Sequence, residues 1–424
     1  MTLQIIILHD NRKKNNSKIH QLYIIRKCVK IPIQPIIWEK DWLFLTINRK
    51  GYIPKTKTVL WGYYMKQLMN DLLLDAQNRK ASDLHLTVGV PPKSRVNGEL
   101  VNMDHEVMTP LVMESLVMAI VPQRLVDSLD NAGEVDFSYA IKNVGRFRVN
   151  VFKQRGSYAL VIRIIYTDIP SPEELGVPET VIELTKKKRG LVLVSGPAGS
   201  GRSTTLASLI NVINNNYNRH IITLEDPIEY LHRHNKSIVN QREIGTDSQS
   251  YANSLRVILR EDPDVILIGE MRDYETMQIA ISAAEMGHLV FSTLHTLGAV
   301  NTVNRIIDVF PTANQQQVRV QLASILEGVI SQQLIPTSDG LGRVAAFEVL
   351  LSNPAIRSLV REGKINQIES YLQSGKKTGM KNMDDAIYEL YLFGKITKEQ
   401  ALNFSMDVTA MEKRLFYFVK DDNL

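Results

Sequence analysis

The sequence predicts an α/β protein: a small antiparallel-sheet domain, then a doubly wound α/β core, then helices. Three observations predict it. From about residue 176, short apolar runs bounded by Gly or Asp ("GLVLVSG", "HIITLED", "DVILIGE", "HLVFSTLH") alternate with helical stretches; strands buried on both faces of a parallel sheet read this way. Upstream, "DLHLTVG", "PPKSRVNGELV", "VDFSYAI" and "GRFRVNVFKQRGSYALVIRII" alternate apolar and polar residues with Gly or Asn at the turns, the pattern of antiparallel strands with one wet face. Between them "YTDIPSPEELGVPET" carries Pro170, Pro172 and Pro178 and reads as a linker.

The elements divide the 424 residues into an N-terminal extension (1–64), an α+β domain (65–168), the linker (169–178), the α/β core (179–350) and a helical region (351–424). Leu68, Met69, Leu72, Leu73 and Ala76 recur at helical spacing and open the first domain. After about residue 312 the chain reads as mostly helical, with turn breaks at "SDGLG", "QSGKKTG" and "FGK". Residues 1–64 show no clear period and hold twelve Lys/Arg against three Asp/Glu, with Trp38, Trp42, Trp61 and Cys28. The chain's net charge is +5, so the remainder is net acidic and nucleic acid is not an expected partner. The composition break leads us to expect that translation starts at Met65 and that residues 1–64 are not native; a basic arm for membrane or nucleic acid is the other reading. No apolar run reaches the roughly 18 residues of a membrane span. The single cysteine excludes an internal disulfide or a multi-cysteine zinc site, and the expected compartment is the cytoplasm.

The chemistry is carried by four motifs. "SGPAGSGRSTT" (195–205) lies between an apolar strand and a helix and matches a phosphate-binding loop at Gly196, Gly201 and Ser203. Pro197, Ala198, Gly199, Ser200, Thr204 and Thr205 complete the loop, whose amides and helix N-terminus suit a β-phosphate. Ser203 is placed to ligate Mg2+ and Thr204 to reach the α-phosphate. Arg202 stands where the pattern has lysine; its longer, planar fork binds phosphate but sits away from the developing transition-state charge. "ITLEDPIEY" (222–230) ends a strand with Glu225, Asp226 and Glu229, and "PDVILIGEMRD" (263–273) ends one with Glu270. Carboxylates there face the ligand crevice and can orient water or hold Mg2+ through it. "GHLVFSTLHT" (287–296) sets His288 and His295 on either side of a strand, to sense the γ-phosphate or to cross a subunit interface. Arg148 and Arg163 fall on successive strands of a hairpin in the first domain and suit a trans-acting role at a nucleotide.

In this order the motifs resemble the bacterial type II/IV secretion ATPase superfamily, and within it the twitching-motility retraction ATPases of type IV pili. The resemblance runs from about Met65 to Gln400. "ASDLHLTVGVPP" resembles that family's N-domain opening, and "AIRSLVREGKINQI" (355–368) the segment it needs for retraction. The resemblance implies a PAS-like N-domain, a RecA-like P-loop core and a hexameric ring. ATP and Mg2+ are the implied ligands, and the inner face of the membrane, against the pilus platform protein, the implied location. It also implies that Glu229 and Glu270 are catalytic glutamates, that His288 and His295 are the histidine box, and that Arg148 and Arg163 are arginine fingers. Arg202 departs from the family's lysine. Two readings follow: an active retraction motor, or a weakly hydrolysing accessory subunit beside a paralogous motor ATPase.

Overall fold

The structure, a computed structural model, describes residues 55–421 except 97, 142–143 and 166–167. The chain forms two units that divide between Ile165 and Tyr166, so the proline-rich stretch 169–178 belongs to the second. Cys28, Trp38 and Trp42, and most of the N-terminal extension, lie outside the described residues.

The first unit begins with α1 (Lys55–Asn78) and continues through β1 (Asp83–Leu86), β2 (Lys93–Val96), β3 (Glu99–Asn102), α2 (Pro110–Ile120), α3 (Gln123–Ala132), β4 (Glu134–Ile141), β5 (Gly145–Gln154) and β6 (Ser157–Ile165). The strands make one antiparallel sheet in the order β3-β2-β1-β6-β5-β4. Its inward residues, among them Leu84, Phe147, Val149 and Ile162, form one core with Met69, Leu72 and Leu116 of the helices. The extension shows no clear period in sequence, yet α1 starts within it, at Lys55. Met65 is buried and Trp61 donates from Nε1 to Ser115 Oγ at 3.1 Å, so packing against α2 rather than local period extends this helix.

The second unit runs α4 (Glu179–Ile182), β7 (Gly190–Ser195), α5 (Arg202–Asn216), β8 (His220–Glu225), β9 (Ile238–Glu243), α6 (Tyr251–Ile258), β10 (Val265–Ile268), α7 (Tyr274–Glu285), β11 (Leu289–Leu294), α8 (Ala299–Val309), α9 (Thr312–Ile325), β12 (Leu326–Pro336), β13 (Arg343–Leu351), α10 (Pro354–Glu362), α11 (Ile368–Ser374), α12 (Met383–Leu392), α13 (Lys398–Phe404) and α14 (Val408–Asp421). The sheet order is β13-β12-β7-β11-β10-β8-β9, parallel except where β13 pairs with β12. Helices cover both faces, which is why β7, β10 and β11 are buried at every residue.

The helical reading after residue 312 is corrected over β12 and β13, which form a hairpin on the sheet. Ser331, Gln332 and Gln333 break the apolar run of β12, yet all three are buried with polar partners. β9 was likewise not expected, because its sequence "IVNQRE" is mostly polar.

A buried carboxylate joins the core to the C-terminal helices. Glu348 of β13 accepts from the amide of Ala299 at 2.5 Å and from that of Met383 at 3.2 Å, the first residues of α8 and α12. Arg357 of α10 donates to the Ala323 carbonyl at 2.9 Å and pairs with Glu327 at 2.9 Å, so this residue of the "AIRSL" motif caps the end of α9. No helix among the described residues is long and apolar enough to cross a membrane.

Candidate nucleotide site

The C-terminal ends of β7, β11, β10 and β8 lie side by side, and four of the motifs' segments emerge there, the edge at which such sheets bind ligands. Gly196 follows β7 with φ 148°, and a Cβ built on it would stand 2.3 Å from the Gln332 carbonyl oxygen and 2.6 Å from Ser200 Oγ. Gly201, at φ 88°, is held against the Gln332 side chain in the same way, while Gly199 faces open space. The first two glycines therefore let the loop lie on β12, and no larger residue fits them without displacement. Gln332 is the floor of the loop, its Oε1 accepting from Thr205 Oγ1 at 2.8 Å. The sequence reading missed it because a glutamine pair inside a strand gives no catalytic signal.

Pro197, Ala198 and Gly199 are exposed at the apex, and Ser200 is buried with its hydroxyl unpartnered among the described residues. The first helical bond of α5 is from Thr205 N to Gly201 O at 3.0 Å, which leaves the preceding amides without helical acceptors and suited to an anion. Ser203 is exposed in this first turn. Thr204 does not project freely toward a phosphate; its hydroxyl shares a 2.9 Å bond with Tyr230 Oη.

Arg202 is half-buried and already engaged. Nη1 donates to the carbonyls of Gly196 and Leu294, both at 2.7 Å, and Nη2 lies 3.0 Å from His295 Nδ1. Burial lowers its pKa, against which the Glu270 and Glu229 charges act. Glu270, largely shielded, receives Arg272 Nε at 2.7 Å on one oxygen and lies 3.0 Å from His295 Nε2 on the other. A neutral His295 protonated at Nε2 satisfies both contacts, donating to Glu270 and accepting from Arg202. Arg202, His295 and Glu270 thus form one polar chain across the ends of β7, β11 and β10.

The remaining motif residues divide by position. Glu229 is exposed on the loop after β8. Glu225 is largely buried; burial pushes its carboxyl up, countered by hydrogen bonds from Thr223 Oγ1 at 2.6 Å and Gln241 Nε2 at 3.1 Å. Asp273 is a helix cap, accepting from Thr276 N at 2.8 Å. Tyr251, also unread in the sequence, places its hydroxyl beside Gly269 between β8 and β10. Burial, and then the Asp226 charge, push this phenol up, so it stays a neutral donor at the mouth of the site.

His288 is not brought to this edge. It precedes β11, and its Nδ1 lies 2.7 Å from the Pro263 carbonyl. The strand separates it from His295 by roughly 20 Å at ~3.3 Å per residue. Arg148 and Arg163 belong to the first unit and stand directly opposite each other on β5 and β6.

The residues fit a nucleotide with a divalent cation: the loop has open amides and an exposed serine hydroxyl in its first turn, and a shielded carboxylate stands at the end of β10, one strand beyond β11 on the same sheet edge. A family model described as type II/IV secretion system protein matches residues 63–400. A twitching motility protein of Neisseria gonorrhoeae is 47% identical over 310 residues, covering 73% of this chain and 83% of its own length. The Pseudomonas aeruginosa type IV pilus retraction ATPase PilT is 43% identical over 333 residues, covering 78% and 96%. A crystal structure of the pilus retraction motor PilT with bound ADP superposes with a TM-score of 0.76 at 46% identity, covering 82% of this chain and 98% of that one. The loop, the carboxylate strand ends and these likenesses lead to one conclusion: the chain belongs to the type II/IV secretion system protein family, among relatives of the pilus retraction ATPases.

Proposed function

We propose that this chain is an ATP-hydrolysing motor that powers type IV pilus retraction and twitching motility. It works as a homo-hexamer of subunits with a PAS-like first unit and a RecA-like core. It sits in the cytoplasm at the inner face of the membrane, against the pilus platform protein. The observation that carries the reading is the placement of the glycine loop, Glu270 and His295 on one sheet edge. The amides from Gly201 to Thr204 bind the phosphates, and Ser203, with Glu270 through water, would hold Mg2+. When bound, Mg2+ draws charge from the phosphate oxygens. Glu270 orients the attacking water and accepts its proton, while His295 fixes the Glu270 carboxylate. Glu229 adds a second carboxylate at the mouth. Arg148 and Arg163 supply cationic charge in trans, and His288, at the other end of β11, serves a subunit contact.

The engagement of Arg202 favours a second reading, in which the chain binds nucleotide but hydrolyses it weakly and assists a paralogous motor ATPase. Its Nη1 protons are taken by two carbonyls, so phosphate must compete for the guanidinium. The purified chain and Arg202→Lys are compared for binding of a non-hydrolysable ATP analogue, for turnover and for restoration of twitching in a retraction-deficient strain. Both bind, the parent turns over measurably, and the lysine variant is faster by about 10²-fold, the worth of one aligned donor. Binding without turnover, and twitching only alongside the paralogue, selects the accessory reading. No nucleotide binding overturns both.

A further inference from the structure

The row of side chains across the first unit's sheet runs Arg95 on β2, Asp83 on β1, Arg163 on β6 and Arg148 on β5, each directly opposite the next. All point to the face away from the core, yet Asp83 is buried while Arg163 is mostly exposed. Asp83 Oδ1 receives Arg163 Nε at 3.1 Å, and Asp83 Oδ2 is held by Ser82 Oγ at 2.7 Å. Arg95 does not compete for the carboxylate, because its Nη1 donates to the Gly98 carbonyl at 2.7 Å. Arg163 is thus gripped at Nε alone. Its two Nη groups have no partner among the described residues and form the outer edge of the fork, the geometry that binds an anion through two parallel hydrogen bonds. Arg148 differs: its nearest carboxylate oxygen, on Asp136, is 4.0 Å away, and both partners are about half exposed.

We propose that Asp83 is a positioning residue that presets Arg163 to receive phosphate oxygens, and that Arg163 and Arg148 are therefore unequal, one preorganised and one mobile. The inference rests on the trans-acting role given to these arginines above. A fork held at Nε loses little side-chain freedom when an anion arrives, whereas Arg148 must be ordered at that moment.

The test uses the full chain and reads turnover, affinity for a non-hydrolysable ATP analogue and apo thermal stability for Arg163→Gln, Arg163→Lys, Asp83→Asn and their double variants. Arg163→Gln lowers turnover strongly; if it does not, the trans-acting role itself fails. Given that loss, Asp83→Asn lowers turnover by about tenfold to a hundredfold, as small misplacements of a reacting group do, and weakens analogue binding, but has no further effect in the Arg163→Gln background. Arg163→Lys, which keeps the charge and loses the Nε grip, behaves like Arg163→Gln. Ser82→Ala gives a milder version of Asp83→Asn and covers the case in which the latter does not fold. Equal losses from Asp83→Asn with and without Arg163, or full turnover in both Asp83→Asn and Ser82→Ala, overturn the positioning role.

Discussion

In the first unit the charged residues of interest stand in a row on one face of an antiparallel sheet; in the second they stand at the ends of parallel strands. The difference follows from burial. The antiparallel sheet has helices on one face only, so its other face carries polar side chains along the strands. The parallel sheet is covered on both faces, and its polar chemistry is confined to the loops where strands end. One unit therefore offers an arginine-rich row on an open sheet face, and the other an edge of strand ends with open amides and a carboxylate.

The largest way to break this comparison is to remove the carboxylate from the edge of strand ends. Glu270→Gln keeps the size of the group and a contact for Arg272, and turnover falls by about 10²–10⁴-fold, the usual worth of a general base. Binding of an ATP analogue is retained. Unchanged turnover would move the catalytic carboxylate to another residue, Glu229 first.

A second test separates the two ends of β11. His295→Ala lowers turnover by about tenfold or more, at every protein concentration, because it breaks a chain within one site. His288→Ala leaves turnover near the parent value at high protein concentration and lowers it on dilution, where subunit contacts are lost. Identical behaviour of the two variants would show that the strand's length does not separate their roles.

The smallest effect concerns His232, on the same loop between β8 and β9 as Glu229. Burial lowers its pKa to about 4, and its buried Nδ1 has no partner among the described residues. The folded chain therefore resists protonation that the unfolded chain accepts near pH 6.5. Stability from this group is complete above pH 6.5 and is lost as the pH falls toward 4, by about 2 kcal/mol at pH 5. Thermal unfolding of His232→Gln at pH 7.5 and pH 5 shows a correspondingly smaller loss than the parent. An equal loss in both proteins would place the acid sensitivity elsewhere.

Residues whose role depends on local pattern were legible before the fold was known. The apolar strands β7, β8, β10 and β11, the glycine loop and the carboxylates just beyond strands are each set by neighbours in sequence. The hairpin that faces Arg148 with Arg163 was legible for the same reason. What was not legible depends on distant partners. β12 was hidden because Gln332 and Gln333 look like surface residues until Thr205 and the Phe404 carbonyl arrive to satisfy them. The two histidines look equivalent in "GHLVFSTLHT", and only the direction of β11 separates them. The engagement of Arg202 by the Leu294 carbonyl, and the grip of Asp83 on Arg163, join residues far apart in sequence, so neither leaves a local trace.

Glu348 has a mechanical consequence. One buried carboxylate closes the amide ends of both α8 and α12; burial raises its pKa, and the two amides act against that rise. Pulling either helix away strands a half-solvated anion in the interior, at a cost of several kcal/mol. The two helices are splinted at their starts. Since α8 begins four residues after His295, a displacement of α12 reaches the candidate nucleotide site through a tether only three residues long (296–298), and a load borne on that helix is felt at the edge that carries the glycine loop and Glu270.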